Sequence, residues 1–174
     1  MTEYYFDIET TGWDPAVDKI ITIQWQQLSY GKGVGPLYIL KEWESSEKEI
    51  LEDFLPKIHC ENYWDYIFVG DNLLFDFNFM NERLNRYGLE GMDLRHCTER
   101  PFINLKYTLV LMNDGQFRGY TDILNQNATI TNTEIPGLYE NEEYNKIVEY
   151  IVEEAEAFTE FFSKLKKKLP LIDL

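Results

Sequence analysis

The chain has 174 residues, 44% hydrophobic and 16% aromatic, enough for one well-packed core. Its 31 acidic residues outnumber 16 basic ones, and the net charge of −15 argues against a protein that grips nucleic acid through a broad basic face. No apolar run approaches the length that spans a bilayer, and the N-terminus enters a strand with no basic-then-apolar leader, so a soluble cytoplasmic protein is expected, with no membrane partner.

Tyr4 to Gly12 (YYFDIETTG) reads as a short strand ending in a small-residue turn. Alternation places Tyr4, Phe6 and Ile8 on one face and Tyr5, Asp7 and Glu9 on the other. Thr10 to Asp18 reads as a turn punctuated by Gly12 and Asp14-Pro15. Lys19 to Tyr30 is rich in β-branched and aromatic residues and predicts a long strand. A turn through Gly31, Gly33, Gly35 and Pro36 then leads to a third strand from Leu37 to Trp43, completing an antiparallel meander. Ser45-Ser46 with Glu49 predicts a helix start with a capping-box element. That helix carries Ile50, Leu51, Phe54 and Leu55 at helical spacing and meets Pro56 near its end.

Tyr66 to Gly70 is a short buried strand, and Phe75 to Tyr87 a helix with Gly88 as C-cap. Met92 to Arg95 is read as a last short strand. Leu105 to Met112 and Tyr120 to Leu124 read as helical turns around Asn113-Asp114-Gly115. Asn141 to Leu169 predicts one long amphipathic helix. No internal repeat or linker interrupts the chain. The expectation is a single domain over residues 1–174, α/β, with a mixed five-stranded sheet flanked by helices.

Asp7 and Glu9 share a face where a strand ends. Like charges that close repel unless a cation sits between them, although a solvent-facing pair would look the same in sequence. A partner segment follows in Val69 to Met80, where a strand ends at Gly70 and a helix begins. Asp76 falls in that helix's first turn, where the dipole favours an acid on its own account. Asn72 reads either as a loop cap or as a site residue. His59-Cys60 and His96-Cys97 lack the usual zinc spacing, and structural roles are expected for both pairs.

The long helix holds one more acid out of place. At about 100° per residue, Ile147, Ile151, Ala155, Phe158, Phe162, Leu165 and Leu169 fall within roughly an 80° arc. Glu149, Glu153, Glu156 and Glu160 project far from it. Glu154 lies only about 20° outside the arc, so it is expected to face the protein body, where an acid needs a partner or a metal. Tyr150 sits one turn earlier on the same shoulder. Tyr139 and Glu143 repeat this spacing without the apolar stripe and form the competing pair. Lys164 to Lys168 reads as a solvated helix end favoured by the dipole, or as a phosphate contact.

Phe6-Asp7-Ile8-Glu9-Thr10 resembles the first motif of the DEDD (DnaQ-like) exonuclease superfamily, which has the RNase H-like fold. Gly70-x-Asn72-x-x-Phe75-Asp76-x-x-Phe79 resembles its second motif. Tyr150-x-x-x-Glu154 resembles the tyrosine-type third motif, with Glu where the family has Asp. The resemblance implies that Asp7, Glu9, Asp76 and Glu154 hold two divalent cations, Mg²⁺ or Mn²⁺. It also implies that Thr10 presents its backbone to the terminal nucleotide, that Asn72 either contacts the substrate or supports the residues that do, and that Tyr150 positions the attacking water.

Glutamate is one methylene longer, roughly 1.5 Å. That extra reach shifts the expected metal preference toward Mn²⁺ or lowers activity. Trp13 and Phe75 are candidates to stack on terminal bases, Phe75 equally a candidate for core packing.

The implied activity is 3′–5′ hydrolysis of phosphodiester bonds at a single-stranded DNA or RNA end by a two-metal mechanism. A polymerase or repair complex is the candidate partner. The competing readings are a catalytically weakened binding or assembly module, and a nuclease for short oligonucleotides, for which low basic charge is no handicap.

Overall fold

The computed structural model describes residues 2–58, 62, 64–91, 101–116, 119, 124 and 130–168. Among these, five strands form one mixed sheet in the order β3-β2-β1-β4-β5. They are β1 (Thr2–Thr10), β2 (Ile20–Ser29), β3 (Lys32–Lys41), β4 (Tyr66–Gly70) and β5 (Ile103–Asn104). The first three pair antiparallel, and β4 and β5 join parallel to β1. The helices are α1 (Glu47–Ile58), α2 (Leu73–Arg86), α3 (Leu105–Met112), α4 (Ile135–Glu140) and α5 (Tyr144–Lys168). This is the α/β arrangement with a mixed sheet that the element order predicts, and it agrees with the RNase H-like fold that the resemblance implies.

The central strand β1 is covered on both faces. Phe6 and Ile8 pack with Phe54 of α1 and with Phe77 and Met80 of α2 in one apolar cluster. Tyr5 points the other way and meets Phe158 of α5, ring centroids 4.7 Å apart, in a second cluster with Val69, Leu105 and Leu109. The α5 stripe predicted from periodicity is buried at Ile147, Ile151, Ala155, Phe158, Phe162 and Leu165, and Glu149, Glu153, Glu156 and Glu160 are exposed. Among the described residues no helix is long and apolar enough to cross a membrane.

Three boundaries differ from the sequence expectation. β3 begins at Lys32 and stops at Lys41, not Leu37 to Trp43. Tyr30 and Gly31 take φ of 52° and 78°, forming a two-residue turn whose twist suits a hairpin, so the strand resumes at once. Gly33, Gly35 and Pro36 are tolerated because β3 is an edge strand. Trp43 lies in a short 3-10 turn, Glu42–Glu44.

The fifth strand is Ile103–Asn104, with Met92 to Arg95 outside the described residues. Tyr120 to Ile123 lie outside them too, while Leu105 to Met112 is helical as expected.

The last helix starts at Tyr144 because α4 stops first. Glu142 adopts φ 57°, and Glu143 N–H donates to Leu138 O at 2.9 Å, a Schellman closure that interrupts the run from Asn141.

Two predicted caps are present. Glu49 N–H donates to Ser46 Oγ at the start of α1. Gly88, at φ 66°, closes α2 with Leu89 N–H donating to Leu84 O.

Candidate active site

The acids converge where β1 outruns its parallel neighbour. The β1–β4 register ends at Tyr5 opposite Val69, so Asp7 and Glu9 lie beyond the end of β4. Gly70 permits the chain to turn there: a Cβ on it would stand 2.7 Å from Phe6 O and 2.5 Å from Leu73 Cδ2. The helix that follows carries Asp76 in its first turn, buried. From the opposite layer α5 brings Tyr150 and Glu154.

One carboxylate oxygen each from Asp7, Glu9 and Glu154 lies within 4.8 Å of the others. They line a cleft of about 340 Å³ together with Asp76, Tyr150, Thr10, Trp13, Asn72 and Phe75.

The electrostatics are those of crowded acids. Burial, then the carboxylates of Glu154, Asp76 and Glu9, push Asp7 well above the ordinary carboxylate range. Burial, Glu154 and Asp76 do the same to Glu9. For Asp76 the causes are burial, Asp71 and Glu154. Tyr150 is buried and hydrogen-bonded to Glu154, and burial followed by Glu154, Glu9 and Asp7 holds its hydroxyl firmly protonated.

Carboxylate oxygens alone are hard donors, suited to Mg²⁺ or Mn²⁺ rather than to softer metals. A cation placed among them would remove the repulsion that raises their pKa values, so the residues fit such a group.

The other candidates occupy defined positions. Thr10 Oγ1 donates to Gly12 O at 2.6 Å, just past an irregularity in the β1–β2 register. Asn72 is the N-cap residue of α2, yet its side chain makes no capping hydrogen bond. Trp13 is 68% exposed and stands 5.6 Å from the half-buried Phe75 ring, which also packs on Phe79. Tyr139 is engaged elsewhere: its hydroxyl donates to Glu42 and accepts from Lys19, while Glu143 pairs with Lys146. The His-Cys pairs fall outside the described residues.

Several residues in or behind the cleft are not singled out by the sequence pattern. Gln24, fully buried on β2 opposite Asp7, donates from Nε2 to Asp7 Oδ2 at 3.2 Å and to Glu9 Oε1 at 3.5 Å. Thr22 Oγ1 donates to Gln24 Oε1 at 2.9 Å and fixes that amide. Their signal was the polar alternation Thr22, Gln24, Gln26 between the apolar Ile21, Ile23 and Trp25. Asp71, directly after Gly70, and Lys106 also line the cleft, and Lys106 N–H donates to Asp71 O at 2.8 Å. Burial raises the Asp71 carboxyl and Lys106 opposes the rise. Asn132, Thr133 and Pro136 form part of the wall near α4.

No curated protein matches the chain in sequence. Among solved structures, the chain is similar in fold to one titled "Exonuclease I (apo)", with a TM-score of 0.51 and 13% identity. The match covers 64% of this chain and 30% of that one, so the present chain aligns with less than a third of its neighbour. Residues 4–122, which carry Asp7, Glu9 and Asp76, match the family RNase_H_2 of the RNase_H superfamily. With the sheet order in agreement, the chain belongs to the RNase_H superfamily.

Proposed function

We propose that the protein is a metal-dependent nuclease, a 3′–5′ exonuclease of the DEDD tyrosine type with Glu154 as its last acid. The observation that carries this reading is the convergence of Asp7, Glu9 and Glu154 within 4.8 Å, from two layers of the fold, in an open cleft. Three unneutralised carboxylates at that separation destabilise a fold. A structural role alone does not account for them.

Asp7, Glu9, Asp76 and Glu154 would hold two divalent cations, Mg²⁺ or Mn²⁺. Bound there, the cations supply positive charge to the reacting phosphate and acidify water. The chain's own residues do the rest. Gln24 holds Asp7 and Glu9 in one orientation through its single amide. Tyr150 keeps its proton on Oη, in a hydrogen bond to Glu154, and its hydroxyl lines the cleft, where its oxygen can orient the attacking water without removing a proton from it. Asn72 and Thr10 offer polar groups to the terminal nucleotide. Trp13 and Phe75 offer ring faces to its base, each stacked base contributing about 1–3 kcal/mol. A net charge of −15 favours substrates held at their end, including short oligonucleotides, over duplexes held along their length.

The test is direct. A 5′-labelled, 3′-tailed DNA and its RNA counterpart are incubated with Mg²⁺ or Mn²⁺, beside EDTA and Asp7→Ala controls. A metal-dependent ladder shortening from the 3′ end, absent in the variant, supports the reading. No ladder on any substrate, with binding retained, defeats it and favours a binding module. Much faster decay of two- to five-nucleotide substrates assigns the protein to short oligonucleotides.

A further inference from the structure

Trp13 is a large aromatic residue held in the open on a loop with little apolar anchoring. Its loop neighbours Ala16 and Val17 are exposed as well, Val17 by 77%. Burial therefore does not fix this loop, and polar ties must.

The ties run inward to a buried ion pair. Glu47, at the start of α1, and Arg83, on α2, are 3% and 5% exposed. Arg83 Nε and Nη2 donate to the two Glu47 oxygens at 2.8 and 2.5 Å, a fork-on-fork pair. The remaining guanidinium nitrogen, Nη1, donates to Pro15 O at 3.0 Å. Arg86, further along α2, donates to Ala16 O at 2.7 Å. Glu47 also accepts from Ile20 N–H at 2.7 Å, where the loop enters β2, and from the Tyr87 hydroxyl at 2.8 Å.

Within the loop, Asp18 completes the frame. Its carboxylate accepts from Asp14 N–H at 2.9 Å and lies so close to Gly12 that a Cβ there would stand 2.3 Å from Oδ2. Of the two peptide neighbours of Trp13, Asp14 is thus held by Asp18 and Gly12 lies against the same carboxylate, and the loop apex is held by Arg83 and Arg86.

We propose that the Arg83–Glu47 pair, with Arg86, is a positioning device that fixes Trp13 at the cleft mouth as a preformed stacking platform for a nucleic-acid base. The inference rests on the reading of the cleft as a nucleic-acid site and adds residues that touch neither substrate nor acids. Preorganisation is its physical content. A rigid aromatic loses little freedom on binding, and a loose one loses its advantage. Only Arg suits the position, because its fork reaches Glu47 and Pro15 O together and Lys, a single-point donor, does not.

Removing Arg83 outright would strand a buried Glu47 and risk unfolding. Arg83→Lys keeps that charge paired and severs the tie to Pro15, and Arg86→Gln severs the tie to Ala16. Binding of a fluorescein-labelled ten-nucleotide oligothymidylate is measured by anisotropy in Ca²⁺ for wild type, Trp13→Ala, Arg83→Lys/Arg86→Gln and the triple variant. Amide hydrogen exchange reports whether β1 stays protected while Val17 and Asp18 open. Trp13→Ala should weaken binding about 5- to 150-fold, the loss of one stacked base. The double Arg variant should weaken it by ~5-fold or more, and the triple variant no further than Trp13→Ala alone, because coupled residues are not additive. Losses that multiply in the triple variant, or wild-type binding by the double Arg variant, would overturn the positioning role alone. No binding by the wild type would sink the nucleic-acid reading and this role with it.

Discussion

Replacing Asp7 with asparagine is expected to stabilise the protein when no divalent cation is present. The carboxylate oxygens of Asp7, Glu9 and Glu154 lie within 4.8 Å of one another. At an effective dielectric constant of about 20, two unit charges at that distance repel by about 3.5 kcal/mol. The site escapes part of this repulsion by keeping protons, and holding one on an ordinary carboxyl at pH 7 costs about 4 kcal/mol.

Either way the metal-free fold carries a penalty of a few kcal/mol, of which one neutralised acid relieves a fraction, about 1–3 kcal/mol. The asparagine amide oxygen still accepts the hydrogen bonds that Gln24 and Tyr5 donate to Asp7 Oδ2, so most of the gain is kept. In a chain of this size the gain amounts to a rise in Tm of about 2–10 °C.

The sign with pH follows. Asp7, Glu9 and Asp76 have pKa values raised by folding, so the native state holds more protons than the unfolded chain above the ordinary carboxylate range. Their contribution is present at acid pH and is lost as pH climbs through their raised values. The advantage of Asp7→Asn over wild type should therefore be small near pH 4 and grow toward pH 7.5. Thermal unfolding in EDTA across this range measures it. A variant no more stable than wild type at pH 7.5, or one whose advantage shrinks as pH rises, would refute the crowded-acid account.

Further outcomes follow from the same geometry. Mn²⁺ at about 100 times its dissociation constant at pH 7.5 should stabilise the wild type by about 2.7 kcal/mol, and the same concentration should stabilise it less at pH 5.5 because the ligands must ionise; titration followed by Tm reads this, and Asp7→Asn should respond less. Tyr150→Phe should keep the fold and Mn²⁺ stabilisation but lower kcat by up to about 10²-fold with KM little changed, the lower end of what a positioned acid–base group supplies. Gly70→Ala should destabilise by about 1–3 kcal/mol in chemical denaturation, since its methyl group meets Phe6 O.

How much was legible in the sequence varies with the range of the interaction. Asp7 and Glu9 follow from the two-residue strand period, and Glu154 from the helical period that leaves it beside an apolar arc. Both are local regularities. The capping Ser46 and the Gly88 stop are local as well.

What lay hidden depends on chain segments far apart in sequence. Gln24 looks like any polar strand residue until β2 pairs with β1 and sets it opposite Asp7. Glu47 and Arg83 are 36 residues apart, and nothing in either helix's own pattern announces that they meet. The early start of β3 turns on Tyr30 accepting positive φ, which residue type alone does not predict. Tyr139-x-x-x-Glu143 has the same spacing as Tyr150-x-x-x-Glu154 and differs in sequence by lacking the apolar stripe, but its tertiary partners were hidden: Tyr139 is tied to Lys19 and Glu42.

A complete catalytic site requires Glu154 to join from α5 the acids that β1 and α2 bring together. The most direct test of this is the initial rate of Mn²⁺-dependent 3′-end cleavage by wild type and by Glu154→Gln, with the variant's fold checked by circular dichroism. Loss of a group that meets the reacting centre should lower the rate by about 10²-fold or more. A rate close to wild type would mean that Glu154 is not part of the catalytic site.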